Sequence, residues 1–104
     1  MKSILHDKSE GTCYLCKLLY DDYSRKQTTE HHVIHGTANR RVAEANGLKV
    51  YLCFQHHGAN GDDDVHRPDR NGYDRMLHVK AQKAFEARLG SRSDWMDAIG
   101  KNYL

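Results

Sequence analysis

The sequence predicts an α+β fold, and three observations carry that prediction. Two stretches, residues 28–34 and 48–54, are rich in Thr, Val, Ile, Tyr and Phe, the residues that suit a half-buried pleated surface. Tyr73, Leu77, Ala81, Phe85 and Leu89 recur at four-residue spacing, which is one face of a helix. Cys13-x-x-Cys16 and Cys53-x-x-His56 stand far apart in the chain, as the two halves of a closed tetrahedral metal site do.

At 104 residues the chain reads as one domain. We divide it into an N-terminal arm (1–11), a centre with the metal pairs and both strands (12–66), and C-terminal helices (73–104). A core of this size gains from a metal cross-link. Charged residues are 29% and hydrophobic ones 38%, which describes a polar, soluble chain. No apolar run approaches the roughly 20 residues of a membrane span, and the first residues carry no apolar signal region. A cytoplasmic protein with no membrane partner is therefore expected. A net charge of +2 announces no global field for nucleic acid, though local basic pairs exist at Arg25-Lys26 and Arg40-Arg41.

Taken in order, residues 1–11 read as a loosely ordered arm. A compact knuckle with a few apolar residues follows at 13–19, then a polar turn at 21–27. Strand one covers 28–34 and a loop covers 35–39. Residues 41–46 favour helix, with Gly47 as its cap. Strand two covers 48–54. Residues 55–64 start with a short helix at most and continue as loop, and Arg67-Pro68-Asp69-Arg70-Asn71-Gly72 is turn chemistry. The long helix runs over 73–89 and ends at Gly90. Ser93 is the expected cap of a last helix over 94–99, with Trp95, Met96 and Ile99 on its apolar side, and Gly100 closes it.

Three cysteines are an odd number for a disulfide framework, and in a reducing cytosol Cys13-x-x-Cys16 reads as a metal knuckle. A redox Cys-x-x-Cys needs a strand ahead of it, and residues 8–12 read as loop. Cys13, Cys16, Cys53 and His56 form a soft-to-borderline donor set that suits structural zinc. His57 competes with His56 for the fourth place, and three separately buried thiols are the plain alternative.

Glu30-His31-His32 is a weak signal alone, because eight histidines in 104 residues make an adjacent pair nearly a chance event. Adjacent strand residues face opposite ways, so the two share a site only where the strand gives way to loop, an exit Gly36 makes plausible. If His56 turns to the zinc, His57 is free to meet that stretch across a hairpin. His31, His57 and His66 then form a second, open cluster with His32 beside it. An open metal position next to an imidazole is hydrolytic equipment.

Cys-x-x-Cys, then Glu30-His31-His32, then Val50-Tyr51-Leu52-Cys53-x-x-His56-His57 and a later His66 resemble the HNH nucleases of the ββα-metal (His-Me finger) group. They resemble especially the small phage or prophage type with a zinc knuckle. The likeness covers roughly residues 13–66, and the tail Gly100-Lys101-Asn102-Tyr103-Leu104 is also similar. The resemblance implies a ββα-metal core with C-terminal helices. It implies that His31 is a ligand of the catalytic ion, that His32 is the general base, and that His57 is a ligand on the ββα helix. His66 completes the set, or an aspartate among Asp62, Asp63 and Asp64 replaces it, since His66 lies too far along to share a helical turn with His57. We read those aspartates first as a solvated turn. The family's middle asparagine, in the loop between the strands, is Asn39 by preference over Asn46.

The function so implied is metal-dependent endonucleolytic hydrolysis of double-stranded DNA. Its cofactors are a structural Zn²⁺ and a catalytic Mg²⁺, Mn²⁺, Ni²⁺ or Zn²⁺. Arg40, Arg41, Arg67 and Arg70 are the expected phosphate contacts. The setting is the cytoplasm of a bacterial host, with phage packaging or recombination proteins as partners and the oligomeric state open. The competing reading is a non-catalytic zinc module that binds DNA or a protein and makes nothing of His31 and His32. His35 reads as an exposed loop histidine, and no role is expected for His6 or His78.

Overall fold

The computed structural model describes residues 1–104, the side chain of Thr37 excepted. It is an α+β structure of four helices and one two-stranded antiparallel sheet. A 3-10 turn (Lys8–Glu10) precedes α1 (Tyr14–Tyr20), β1 (Thr28–His32), α2 (Thr37–Ala45), β2 (Lys49–Cys53), α3 (Tyr73–Arg88) and α4 (Arg92–Ile99). Thr28 pairs with Cys53, Glu30 with Tyr51, and His32 with Lys49. That register places the end of β1 and the start of β2 together, far from the Cys53 knuckle.

A lone two-stranded sheet is marginal in water, so this one is covered. All five residues of β2 are buried. Val50 and Leu52 join a core with Leu15, Val33, Leu48, Leu77, Ala81, Phe85 and Trp95. The outer edge of β2 is covered by the N-terminal arm. Ser3 Oγ donates to the Lys49 carbonyl at 2.5 Å, Ile4 N–H to the Gly47 carbonyl at 3.0 Å, and Tyr51 N–H to His6 Nδ1 at 3.2 Å. The arm is thus docked rather than loose. An edge strand has backbone groups that need partners, and the arm supplies them. His6, given no role from sequence, is buried and also bonds Thr12 Oγ1 through Nε2 at 3.0 Å.

The knuckle continues into a two-turn helix, α1, which starts straight after Cys13 and ends at Asp21 in the left-handed region. α2 begins earlier than expected, so residues 37–39 are helical and Asn39 lies in its first turn. Its far end is a Schellman turn: Leu48 N–H reaches the Ala43 carbonyl at 2.8 Å and Gly47 sits at φ 66°. No side chain fits at Gly47, because a Cβ would run into the Lys2 carbonyl.

β1 stops at His32, two residues short of the expected strand. Val33 and Ile34 are both buried, so the alternation of a strand is lost there. After β2 the chain makes one turn, His57 N–H to the Cys53 carbonyl at 3.0 Å, and then no helix. His57 therefore rides a turn, not a ββα helix. Gly58 at φ 134° and Asn60 at φ 58° leave the helical path. Asp64 holds them there: its carboxylate accepts from the amides of Gly58, Asn60 and His66 at 2.8–2.9 Å. Asp64 is buried and organises this loop, so the three aspartates are not simply a solvated turn.

α3 buries Leu77, Ala81 and Phe85 as its stripe requires, while Leu89 is left exposed past the helix end. The cap of α4 is Ser91, not Ser93. Ser91 forms a capping box with Asp94, whose carboxylate returns to the Ser91 amide at 2.8 Å. Trp95 is fully buried against Phe85, and its Nε1–H donates to the Lys101 carbonyl at 2.7 Å. No helix is long and apolar enough to cross a membrane.

Candidate metal centres

The first centre joins α1 to the end of β2. Cys13 and Cys16 come from the start of α1, Cys53 ends β2, and His56 closes the turn after it. All four are buried. His56 Nδ1 lies 3.5, 3.6 and 3.4 Å from the sulfurs of Cys13, Cys16 and Cys53, and Cys16 Sγ lies 3.8 Å from Cys53 Sγ. A tetrahedral zinc with Zn–S of about 2.3 Å and Zn–N of about 2.05 Å has S···N edges of about 3.6 Å and S···S edges of about 3.8 Å. The donors fit that polyhedron, and the fourth place belongs to His56 rather than His57.

The electrostatics agree. Burial and the neighbouring Cys13 and Cys53 thiols push the Cys16 thiol up to about 12, so Cys16 becomes a thiolate here only beside a cation. Burial opposes ionisation of Cys53 too, but the His56 amide, the Cys13 and Cys16 thiols and the Gln55 amide together outweigh it and lower its pKa. Lys26 Nζ stands 3.4 Å from Cys16 Sγ, a counter-charge for a site with three thiolates. The buried Cys13, Cys16, Cys53 and His56 cluster can hold a metal ion and is compatible with structural zinc.

The second centre takes the next residue of the same turn, His57. His31, His57 and His66 each offer a nitrogen within 4.8 Å of the others. Their ring centres are 5.0, 5.2 and 5.1 Å apart. Imidazoles on one tetrahedral ion, with M–N of about 2.05 Å and about 1.15 Å more to the ring centre, stand about 5.2 Å apart. His31 is almost wholly buried, and its Nε2 has no hydrogen-bond partner among the described residues. Burial, then the rings of His57, His35 and His66, lowers its pKa to about 3, so it stays neutral with a free lone pair. Thr29 Oγ1 lies 2.6 Å from His57 Nδ1, which leaves His57 Nε2 for the cluster. Asp64 sets the turn from which His66 returns, as the bond to its amide records. His66, not an aspartate, therefore completes the trio.

His32 faces away from His31, as strand alternation demands. Its Nε2 meets Glu44 Oε2 at 2.8 Å and Glu30 Oε1 at 3.2 Å. Lys49 Nζ grips the same Glu44 at 3.0 Å. His32 and Lys49 together pull the Glu44 carboxyl down to about 2. A cavity of about 440 Å³ is nevertheless lined by His31, His32, His57 and His66 together, with Arg40 and His35. Asn39 lies near Gly36, with Nδ2 3.8 Å from where a Cβ would stand there. Asn46 instead bonds the Val42 carbonyl of its own helix at 2.9 Å. Of the expected phosphate contacts, Arg41 is exposed, whereas Arg67 and Arg70 both lie against Asp69, and Arg70 also reaches Asp62.

Sequence reading missed the chain of groups beyond His31. His35 Nε2 lies 2.5 Å from Asp74 Oδ1, and His78 Nε2 lies 3.7 Å from Asp74 Oδ2. The one available signal was Asp74-x-x-x-His78, which stacks both on one helix face. Glu44 and Thr29 carry no such signal, because their partners arrive through the hairpin. Compared with protein-family models, with curated proteins and with solved structures, the chain matches none of them.

Proposed function

We propose that this chain is a metal-dependent HNH endonuclease of the ββα-metal type, with a turn in place of the helix expected to carry His57, hydrolysing phosphodiester bonds of double-stranded DNA in a bacterial host, with a phage or prophage origin. The observation that carries the reading is the convergence of His31, His57 and His66 on one cavity that His32 and Arg40 also line. An ion held there supplies Lewis-acid stabilisation of the charge that develops on the phosphate and the leaving oxygen. His32 is the general base. Glu44 engages its Nε2–H, so the lone pair for a water proton is on Nδ1. Glu44 also stabilises the imidazolium that follows. Arg40, on the first turn of α2, is the phosphate contact nearest the cluster, and Arg41 extends it. The zinc at Cys13, Cys16, Cys53 and His56 fixes the turn that carries His57.

Supercoiled plasmid incubated with the zinc-loaded protein over a series of Mg²⁺, Mn²⁺, Ni²⁺ and Zn²⁺ tests the reading. Nicking that His32→Ala abolishes is expected. Absence of cleavage with every ion, with one zinc bound, returns the chain to a non-catalytic zinc module.

A further inference from the structure

The imidazole cluster does not end with the three proposed ligands. His35 lies beside it, 5.3 Å from His31 and 6.0 Å from His66 between ring centres. The Asp74 carboxylate stands behind His35, held on the first turn of α3. We propose that His35 and Asp74, completed by His31, form a second divalent-cation position next to the His31–His57–His66 set. One donor atom from each of the three lies within 4.8 Å of the other two. The buried Nε2 of His31, left without a partner among the described residues, is the second indication that a ligand belongs here.

Charge and donor type separate the two positions. The first has three imidazoles, which suit borderline ions such as Ni²⁺ and Zn²⁺. The second has a carboxylate, which suits the harder Mn²⁺. Both draw on the single His31 ring, so they are alternatives for one ion, and the ion's own chemistry selects between them. The other carboxylate–imidazole group, Glu30, His32 and Glu44, differs in kind. There Lys49 Nζ already lies 3.0 and 3.7 Å from the two carboxylates, so a protein cation fills the place.

The proposal rests on the reading of His31, His57 and His66 as a cation site through the shared His31, and not on nuclease activity. Zinc-loaded protein is titrated with Mn²⁺, with free ion followed by its paramagnetic resonance, and separately with Ni²⁺ by calorimetry. Asp74→Asn is expected to weaken Mn²⁺ about tenfold or more, the usual scale for a ligand or its support, and to leave Ni²⁺ nearly unchanged. His57→Gln is expected to do the reverse. His35→Gln repeats the Asp74→Asn result and guards against a folding artefact, with circular dichroism and zinc content as controls. Mn²⁺ binding untouched by Asp74→Asn, no Mn²⁺ binding at all, or the same variant pattern for both ions overturns the second position. Plasmid left intact while the two ion patterns hold overturns the nuclease reading alone.

Discussion

His32 and Glu44 are paired: Nε2 meets Oε2 at 2.8 Å between β1 and α2, and Lys49 Nζ donates to both oxygens of the same carboxylate, at 3.0 and 3.1 Å. A base so held keeps one tautomer and one orientation. Under the proposed activity, His32→Ala loses about 10²–10⁴-fold in plasmid nicking, the range for removing a general base. Glu44→Gln loses less, since the amide oxygen still accepts from Nε2–H but no longer stabilises the imidazolium. Neither changes the zinc content. Equal nicking by wild type and His32→Ala removes the base assignment.

The Cys13, Cys16, Cys53 and His56 cluster ties α1 to β2 over a long separation, so its ion carries folding free energy. Cys13→Ser is expected to lose the zinc and several kcal/mol of stability, read as a fall in melting temperature and in metal content. Co²⁺ in its place should give the absorption of a tetrahedral ion with three thiolates. A Cys13→Ser protein that keeps both its zinc and its melting temperature contradicts a structural role.

How much of this was legible in the sequence follows from what each element depends on. The Cys-x-x-Cys and Cys-x-x-His pairs announced their site because each pair is a local turn that needs only its own spacing. The long stripe of α3 announced itself through periodicity. The missing helix after β2 did not, since Gly58, Asn60 and the gathering carboxylate of Asp64 act together only once the loop has closed. The docked arm was illegible for a related reason. Its partners are the free backbone edge of β2 and the Gly47 carbonyl, and backbone groups leave no mark in composition. Asp74 and Glu44 were missed because Asp74 meets His35, and Glu44 meets His32, only through tertiary packing.

The arm makes its own prediction. Gly47 combines a positive φ with close contact to Lys2, so Gly47→Ala is expected to cost more than about 1 kcal/mol and to loosen residues 1–6. Amide exchange at Ile4 and Tyr51 is the measurement. Unchanged protection at both positions would show that the arm does not depend on that approach.

His6 adds a pH dependence with a definite sign. Burial first, then Lys17, depresses its pKa below the ordinary histidine value, while Thr12 and the Tyr51 amide occupy its two nitrogens. The unfolded chain therefore binds a proton more readily than the folded one as pH falls. The stabilisation from a neutral, buried His6 is full above about pH 6.5 and is lost progressively below it. The urea midpoint of the zinc-loaded protein should fall between about pH 7.5 and pH 6, and His6→Asn should flatten that slope. Parallel slopes for the two proteins would assign the dependence to another group.

Thr29 gives the sharpest separation between a metal role for His57 and mere burial. Its hydroxyl lies 2.6 Å from His57 Nδ1, on the face of β1 that also carries His31. A ligand imidazole needs its second nitrogen held, because that bond selects the tautomer with the free lone pair toward the ion. Thr29→Val keeps the shape and β-propensity of the side chain but removes the hydroxyl. It is expected to weaken Ni²⁺ binding at the three-imidazole position by about 10–100-fold, the scale for losing such a support. Thr29→Ser restores the hydroxyl and should restore most of the affinity. The structural zinc, whose four ligands do not include His57, should be unaffected in both. If Thr29→Val binds Ni²⁺ as tightly as wild type, the bond to Nδ1 does not orient a ligand, and His57 sits in the cluster only as packing.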